Sequence, residues 1–224
     1  MPAERFYIDR DLSDTLTLEG TEFHHLAHVM RVRVGEEIEL VNGRGSLATA
    51  TVLAITKHNA SLAILSTSQI DVPEPRCILA IPILRLPKLE LIIEKCTELG
   101  ADAFWLYPAH HSEKDDLSPN QFERLTHIAI SAMKQCGRLD LPQIKIFSRL
   151  EELFGKPYKY LFGDTRPDAP KMSPGEKVVF ITGPEKGFSE KEVKLLEKSA
   201  TGVRLNKNIL RAETAPIAAT CLLT

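Results

Sequence analysis

The sequence predicts an α/β protein in two parts, a small β-rich domain over residues 1–72 and a parallel-sheet α/β domain over residues 73–224. Three observations predict it. Apolar residues alternate through the first part, which is strand periodicity. A charged, proline-containing stretch at residues 71–76, Asp-Val-Pro-Glu-Pro-Arg, can continue neither a helix nor a strand ladder. Beyond it, strand and helix patterns alternate, the rhythm of a parallel sheet covered by helices.

In the first part the alternating set is Ile38 and Leu40, then Ala48, Ala50 and Val52, then Leu62 and Ile64 after a shift. These read as strands of a small barrel. Asn42-Gly43 predicts a type I′ hairpin turn, which needs positive φ at both central residues. One helix interrupts the strands, with Phe23, Leu26, Ala27 and Met30 at helical spacing and His24, His28, Arg31 and Arg33 on its other side or its exit.

In the second part the expected order is strand 77–84, helix 87–99, strand 104–107, helix 119–136, strands 143–147, 158–163 and 178–182, helix 190–200, strand 203–205 and helix 212–223. Ser118-Pro119-Asn120-Gln121 and Ser189-Glu190-Lys191-Glu192 are capping boxes, and Gly100 closes the helix before it.

The chain has 224 residues, of which 43% are hydrophobic and 26% charged, as expected of a folded globular protein. Its 28 Lys and Arg against 30 Asp and Glu exclude a uniformly basic chain. The balance hides two unlike parts: residues 1–72 hold 6 basic and 10 acidic residues, leaving 22 basic and 20 acidic for the rest. Cys77, Cys96, Cys136 and Cys221 form no CxxC pair and are expected as reduced core thiols of a cytoplasmic protein. The strongest apolar run, 78–84, is broken by Pro82, so no membrane span is expected.

The common cofactor motifs are missing: neither G-x-G-x-x-G after the first strand nor a P-loop occurs, and Gly43-Arg44-Gly45 belongs to the hairpin. His24 and His28 have metal-clamp spacing but lack HExxH or a third ligand at a suggestive interval, so no metal is expected. Two segments look least like ordinary packing. Thr182-Gly183-Pro184-Glu185-Lys186-Gly187-Phe188-Ser189 joins an apolar strand to a capped helix, at the strand end where parallel sheets bind ligands. The stretch from Leu205 to Ala215 again follows a strand and precedes an apolar helix, and Arg211 stands just before that helix, where the dipole disfavours a cation.

These segments resemble the signature loops G-P-E-G-G-F-S and L-G-x-R-I-L-R-x-E-T-A of the 16S rRNA uridine-N3 methyltransferase family of the SPOUT superfamily. Three further stretches are similar to that family: Lys88 with Glu94-Lys95-Cys96-Thr97-Glu98-Leu99-Gly100, Gln135-Cys136-Gly137-Arg138 with Pro142, and His28-Val29-Met30-Arg31. The resemblance implies a PUA-like N-terminal barrel, a C-terminal domain tied in a deep trefoil knot, and a homodimer using S-adenosyl-L-methionine on the small ribosomal subunit or its precursor.

By the same resemblance Gly183, Pro184, Glu185, Leu205, Ile209, Leu210, Arg211, Glu213, Thr214 and Ala215 hold the cofactor. Arg138 and Glu98 are the expected catalytic groups, with the His110-His111 loop as another candidate for proton handling, and Arg5, Arg31, Arg33, Lys88 and Lys95 are the expected RNA contacts. Lys186, Asn206 and Asn208 depart from the family pattern, where Gly, Gly and Arg are usual. Those departures leave a non-catalytic knotted RNA-binding protein as the competing reading, beside a related methyltransferase with another target nucleotide. At position 206 asparagine is expected to tolerate the left-handed backbone a glycine would adopt.

Overall fold

The computed structural model describes residues 4–175 and 177–224. The chain divides into two compact units, one running up to Pro73 and joined by Ile130–Leu141, the other comprising Glu74–Ala129 and Pro142–Thr224.

Among the described residues the first unit carries a five-stranded sheet in the order β1-β3-β4-β5-β2: β1 (Arg5–Tyr7), β2 (Thr15–Glu19), β3 (Glu37–Val41), β4 (Ser46–Ile55) and β5 (Asn59–Gln69). β1 runs parallel to β3 and the other pairings are antiparallel. The alternating residues Ile38, Leu40, Ala48, Ala50, Val52 and Leu62 are buried in one cluster with Phe6, Leu16 and Leu18. The shift in alternation has a cause: the β4–β5 register slips between Thr49 and Ala50 and again between Val52 and Ala54.

Two local expectations fail here. The turn at Asn42-Gly43 is not type I′, because Gly43 has φ +68° while Asn42 is not among the described non-glycine residues with positive φ. Instead the Asn42 side-chain oxygen accepts hydrogen bonds from the backbone N–H groups of Arg44 and Ser46, closing a longer loop. The helix after β2 begins as α1 (Gly20–His24) and continues as a π-helix over His25–Met30, ending at Arg31 with φ +56°. The wider winding puts more residues in each turn, so Phe23 and Leu26 are buried while Met30 turns outward.

The second unit carries, among the described residues, a six-stranded sheet in the order β11-β9-β10-β6-β7-β8, parallel at every pairing. Its strands are β6 (Cys77–Pro82), β7 (Ala103–Tyr107), β8 (Gln143–Ile146), β9 (Lys159–Gly163), β10 (Val178–Ile181) and β11 (Thr201–Val203). The central strands are apolar throughout, as both-face burial requires: every residue of β6, β7 and β10 is buried.

The helices are α2 (Leu86–Glu98), α3 (Pro119–Cys136), α4 (Glu190–Ser199) and α5 (Thr214–Leu223). Gly100, φ +98°, ends α2; Ser118 with Gln121 and Ser189 with Glu192 make the reciprocal bonds of capping boxes. α3 belongs to the second unit up to Ala129 and to the first from Ile130. The four cysteines are free, but only Cys77 and Cys96 are core residues, since Cys136 and Cys221 are exposed ends of helical faces. No described helix is long and apolar enough to cross a membrane.

Candidate functional site

Because the sheet of the second unit is parallel, the carboxyl ends of β11, β9 and β10 lie along one edge, and the loops leaving them enclose a cavity of about 1100 Å³. The loop after β9 contributes Gly163, Asp164 and Arg166, the loop after β10 runs from Thr182 to Phe188, and the loop after β11 runs from Arg204 to Glu213. Lys88, in the first turn of α2, completes the wall.

Each loop is tied down by bonds traceable to particular residues. Thr182 donates its backbone N–H to the Ala80 carbonyl at 2.9 Å, and the buried Tyr107 hydroxyl donates to the Thr182 carbonyl at 2.6 Å. Gly187 turns the chain with φ +75° and its N–H returns to the Pro184 carbonyl at 2.8 Å. From the loop after β7, the His110 N–H reaches a Glu192 carboxylate oxygen at 2.9 Å and His111 Nδ1 lies 3.0 Å from the Gly187 carbonyl. His111 therefore touches the Gly183–Phe188 turn, and the His110 backbone holds the first turn of α4 that follows it. Gly183 lies against the Phe188 ring, where a Cβ would sit 3.1 Å from a ring carbon.

Three carboxylates give the cavity its chemistry. Asp164 is held by the Arg166 guanidinium at 2.6 Å; burial alone would raise its pKa, but the hydrogen bonds and charge of Arg166 hold it below the usual value. Glu185 and Glu213 share Lys88 Nζ, at 2.7 and 3.0 Å. Burial also opposes ionisation of Glu213, yet its own backbone N–H, Lys88 and Arg211 outweigh that and keep its pKa low. Lys88, which donates to Glu185 and pairs with Glu213, is raised above its ordinary value by those two carboxylates.

A group with a depressed folded pKa contributes stability above its unfolded value and loses it as pH falls through the folded one. The Glu213 contribution should therefore be whole above its ordinary value of 4.5 and lost below it. Melting temperatures measured between about pH 6 and 3 are expected to fall less steeply for Glu213→Gln than for the native chain; parallel acid limbs would show that Glu213 is not the titrating group.

Of the residues expected to hold a cofactor, all line the cavity except Thr214, which heads α5 and donates its N–H to the Arg211 carbonyl. The left-handed backbone expected at position 206 is not found: Asn206 has no positive φ, and its side chain accepts the Asn208 N–H at 3.0 Å in an Asx turn. Glu98, expected as a catalytic group, is not brought to the cavity. It lies near the C-terminal end of α2, the end opposite Lys88, does not line the cavity, and bonds to Lys95 at 2.9 Å. Lys95, expected as an RNA contact, is paired with Glu94 at 2.7 Å and with Glu98, which together push it up to about 12. In the first unit Arg5 is largely buried and bonded to Glu39 at 2.6 Å, so it too leaves the set of open cations. Arg138 lies in the Ile130–Leu141 segment of that unit, paired with Asp140, while Arg31 and Arg33 are exposed.

Sequence reasoning missed Phe162, Asp164 and Arg166, which line the cavity beyond β9. Their signal in the sequence is the same strand-end position, since Gly163-Asp164 follows a strand as Thr182-Gly183 does.

A parallel sheet with a ligand-sized cavity at its strand ends, in a chain that also carries a separate mixed β unit, defines a two-domain α/β ligand-binding protein. The chain belongs to the RNA methyltransferase domain family, whose pattern matches residues 72–224, and residues 18–65 match an RNA methyltransferase PUA domain. It is 32% identical to the ribosomal RNA small subunit methyltransferase E of Synechocystis, over 92% of this chain and 71% of that protein. The protein of the same name from Bacillus subtilis is 28% identical, over 91% and 87%. Among solved structures, the ribosomal RNA small subunit methyltransferase E of Neisseria gonorrhoeae, bound to S-adenosyl methionine, superposes with a TM-score of 0.85 at 31% identity, covering 97% of this chain and 95% of that one.

Proposed function

We propose that the protein is a methyltransferase of small-subunit (16S) ribosomal RNA that uses S-adenosyl-L-methionine and modifies uridine at N3. The observation that carries this reading is the cavity: three adjacent strand ends and their loops enclose a space sized for a nucleoside bearing an amino-acid chain. Its residues suit that ligand. Gly183 allows a close backbone approach beside Phe188, and Asp164, Glu185 and Glu213 place three carboxyl groups along the cavity for a cationic ligand.

When bound, the cofactor supplies an activated methyl group on a sulfonium. The chain has to orient that group, exclude water and deal with the N3 proton. Uridine N3 is a weak nucleophile until it loses its proton, so transfer needs a base or stabilisation of the developing uracil anion. Arg138 is the group we assign to the uracil oxygens or the adjoining phosphate. In the family a homodimer and a deep knot accompany this chemistry, and we extend both to this chain, with the active site completed across the dimer. Division of the chain at residue 72 into an RNA-contacting and a methyl-transferring domain, in the cytoplasm, belongs to the same proposal. Arg31 and Arg33 are its open cations for phosphate, and such contacts make affinity fall as salt rises.

The deciding experiment is mass spectrometry of small-subunit RNA from a deletion strain. Loss of 3-methyluridine, restored by the gene in trans, is the expected result; its persistence sinks the target assignment. At position 186 the lysine is exposed, lines the cavity and has no positive φ, so it does not strain the turn. Lys186→Gly is expected to leave turnover equal or higher, at a stability cost of no more than about 1 kcal/mol from added backbone freedom. A large loss of turnover would show that the lysine has a task of its own.

A further inference from the structure

Lys88 stands where helix physics disfavours it. It lies in the first turn of α2, at the positive end of the helix dipole, and that turn contains no acidic residue to offset it. Arg85, just before the helix, adds a second cation. Both are matched by carboxylates from other segments: Arg85 Nη2 donates to Glu113 at 2.8 Å, in the loop after β7, while Lys88 reaches Glu185 after β10 and Glu213 at the head of α5. The partners of Lys88 are 97 and 125 positions away in sequence, and they belong to two different loops that line the cavity.

One nitrogen touching both carboxylates keeps their oxygens within about 6 Å of each other, a separation at which like charges repel. The ammonium supplies three donors and no acceptor, which suits a bridge between two acceptors. We propose that Lys88 is a positioning residue for the cofactor: it pins the Gly183–Phe188 turn to the Arg211–Glu213 segment and so sets the width of the cavity, instead of contacting RNA. The proposal rests on the cofactor reading given above.

The sign of the effect separates this role from its rivals. A lysine that merely sits near a sulfonium weakens its binding, so removing it would tighten S-adenosylmethionine and leave S-adenosylhomocysteine, which lacks the sulfonium charge, unchanged. A lysine that sets the spacing of the walls serves both ligands, so removing it weakens both. Calorimetric titration of the full-length protein with each compound is the test. Lys88→Met is expected to weaken both about tenfold, Lys88→Arg to recover most of the loss, and Lys88→Met to add little once Glu213→Gln is present, as coupled neighbours behave.

Thermal melting of each variant, within a few degrees of the native chain, guards against general unfolding. Tighter binding of S-adenosylmethionine alone, or unchanged binding of both compounds with weaker RNA binding, would overturn the proposal. Equal loss for Lys88→Arg and Lys88→Met would overturn it too, because a second cation would then fail to replace the bridge. If the native protein binds neither compound, it is the cofactor reading that fails.

Discussion

Replacing Tyr107 by Ala is expected to cost about 3–5 kcal/mol of stability, the range for deleting a fully buried aromatic side chain. Tyr107 ends β7 with its ring completely buried in the cluster that includes Ala80, Trp105, Phe162 and Val179, and its hydroxyl donates to the Thr182 carbonyl at 2.6 Å. Burial first, and then the nearby Glu192, pushes the phenol well above its ordinary pKa, so it keeps the proton it donates. Thr182 is where the strand β10 gives way to the cavity loop, so the same bond anchors the site.

Tyr107→Phe separates the two roles. It keeps the ring and loses the bond, with an expected stability cost of about 0.5–1.5 kcal/mol and weaker cofactor binding from the released loop. Chemical denaturation of the two variants measures the first effect and calorimetry the second. If Tyr107→Ala lost less than about 1 kcal/mol, the buried Tyr107 ring would not be what supports the sheet.

The second large effect is expected at Gly202, in β11. A Cβ there would lie 2.6 Å from the Asp164 carboxylate and 2.9 Å from the Phe162 ring, well inside contact distance. Neither neighbour is free to yield. Phe162 is buried in the core and stacks edge-on with Phe188, and Asp164 is locked by Arg166. Gly202→Val is therefore expected to destabilise the chain by about 1–3 kcal/mol through overpacking. Because Phe162 and Asp164 both line the cavity, it is also expected to weaken cofactor binding by at least about tenfold, or ~1.4 kcal/mol. A variant that melted and bound like the native chain would remove Gly202 from the architecture of the site.

Much of the architecture was legible because periodicity reports burial directly. The continuous apolar runs at Cys77–Pro82 and Val178–Ile181 read as parallel strands because both of their faces are covered, and the capping boxes at Ser118 and Ser189 marked helix starts through local bonds alone. Reading failed where winding or pairing depended on context. Phe23, Leu26 and Ala27 have α-helical spacing, but the chain widens into a π-helix from His25, and spacing alone cannot reveal a change of pitch. Asn42-Gly43 has the composition of a two-residue turn, yet the Asn42 side chain caps a longer loop.

At the candidate site, the loop residues from Gly183 to Glu185 and from Ile209 to Glu213 were visible as glycine, proline and a misplaced arginine beside strand ends. What Lys88 and Glu98 do was not visible. They lie ten residues apart on one helix with similar local surroundings of charge, and from sequence both were candidates for work on RNA.

By itself, then, the sequence determined the alternation of strands and helices, the two parts of unlike charge and the loops that leave the strand ends, because each depends on neighbours a few residues away. Only the tertiary structure decided which side chains face one cavity. Parallel pairing brings β11, β9 and β10 side by side out of chain order, and it sets Lys88 between carboxylates about a hundred residues distant. An ion pair depends on a few ångströms of space, and no local pattern of residues encodes that distance.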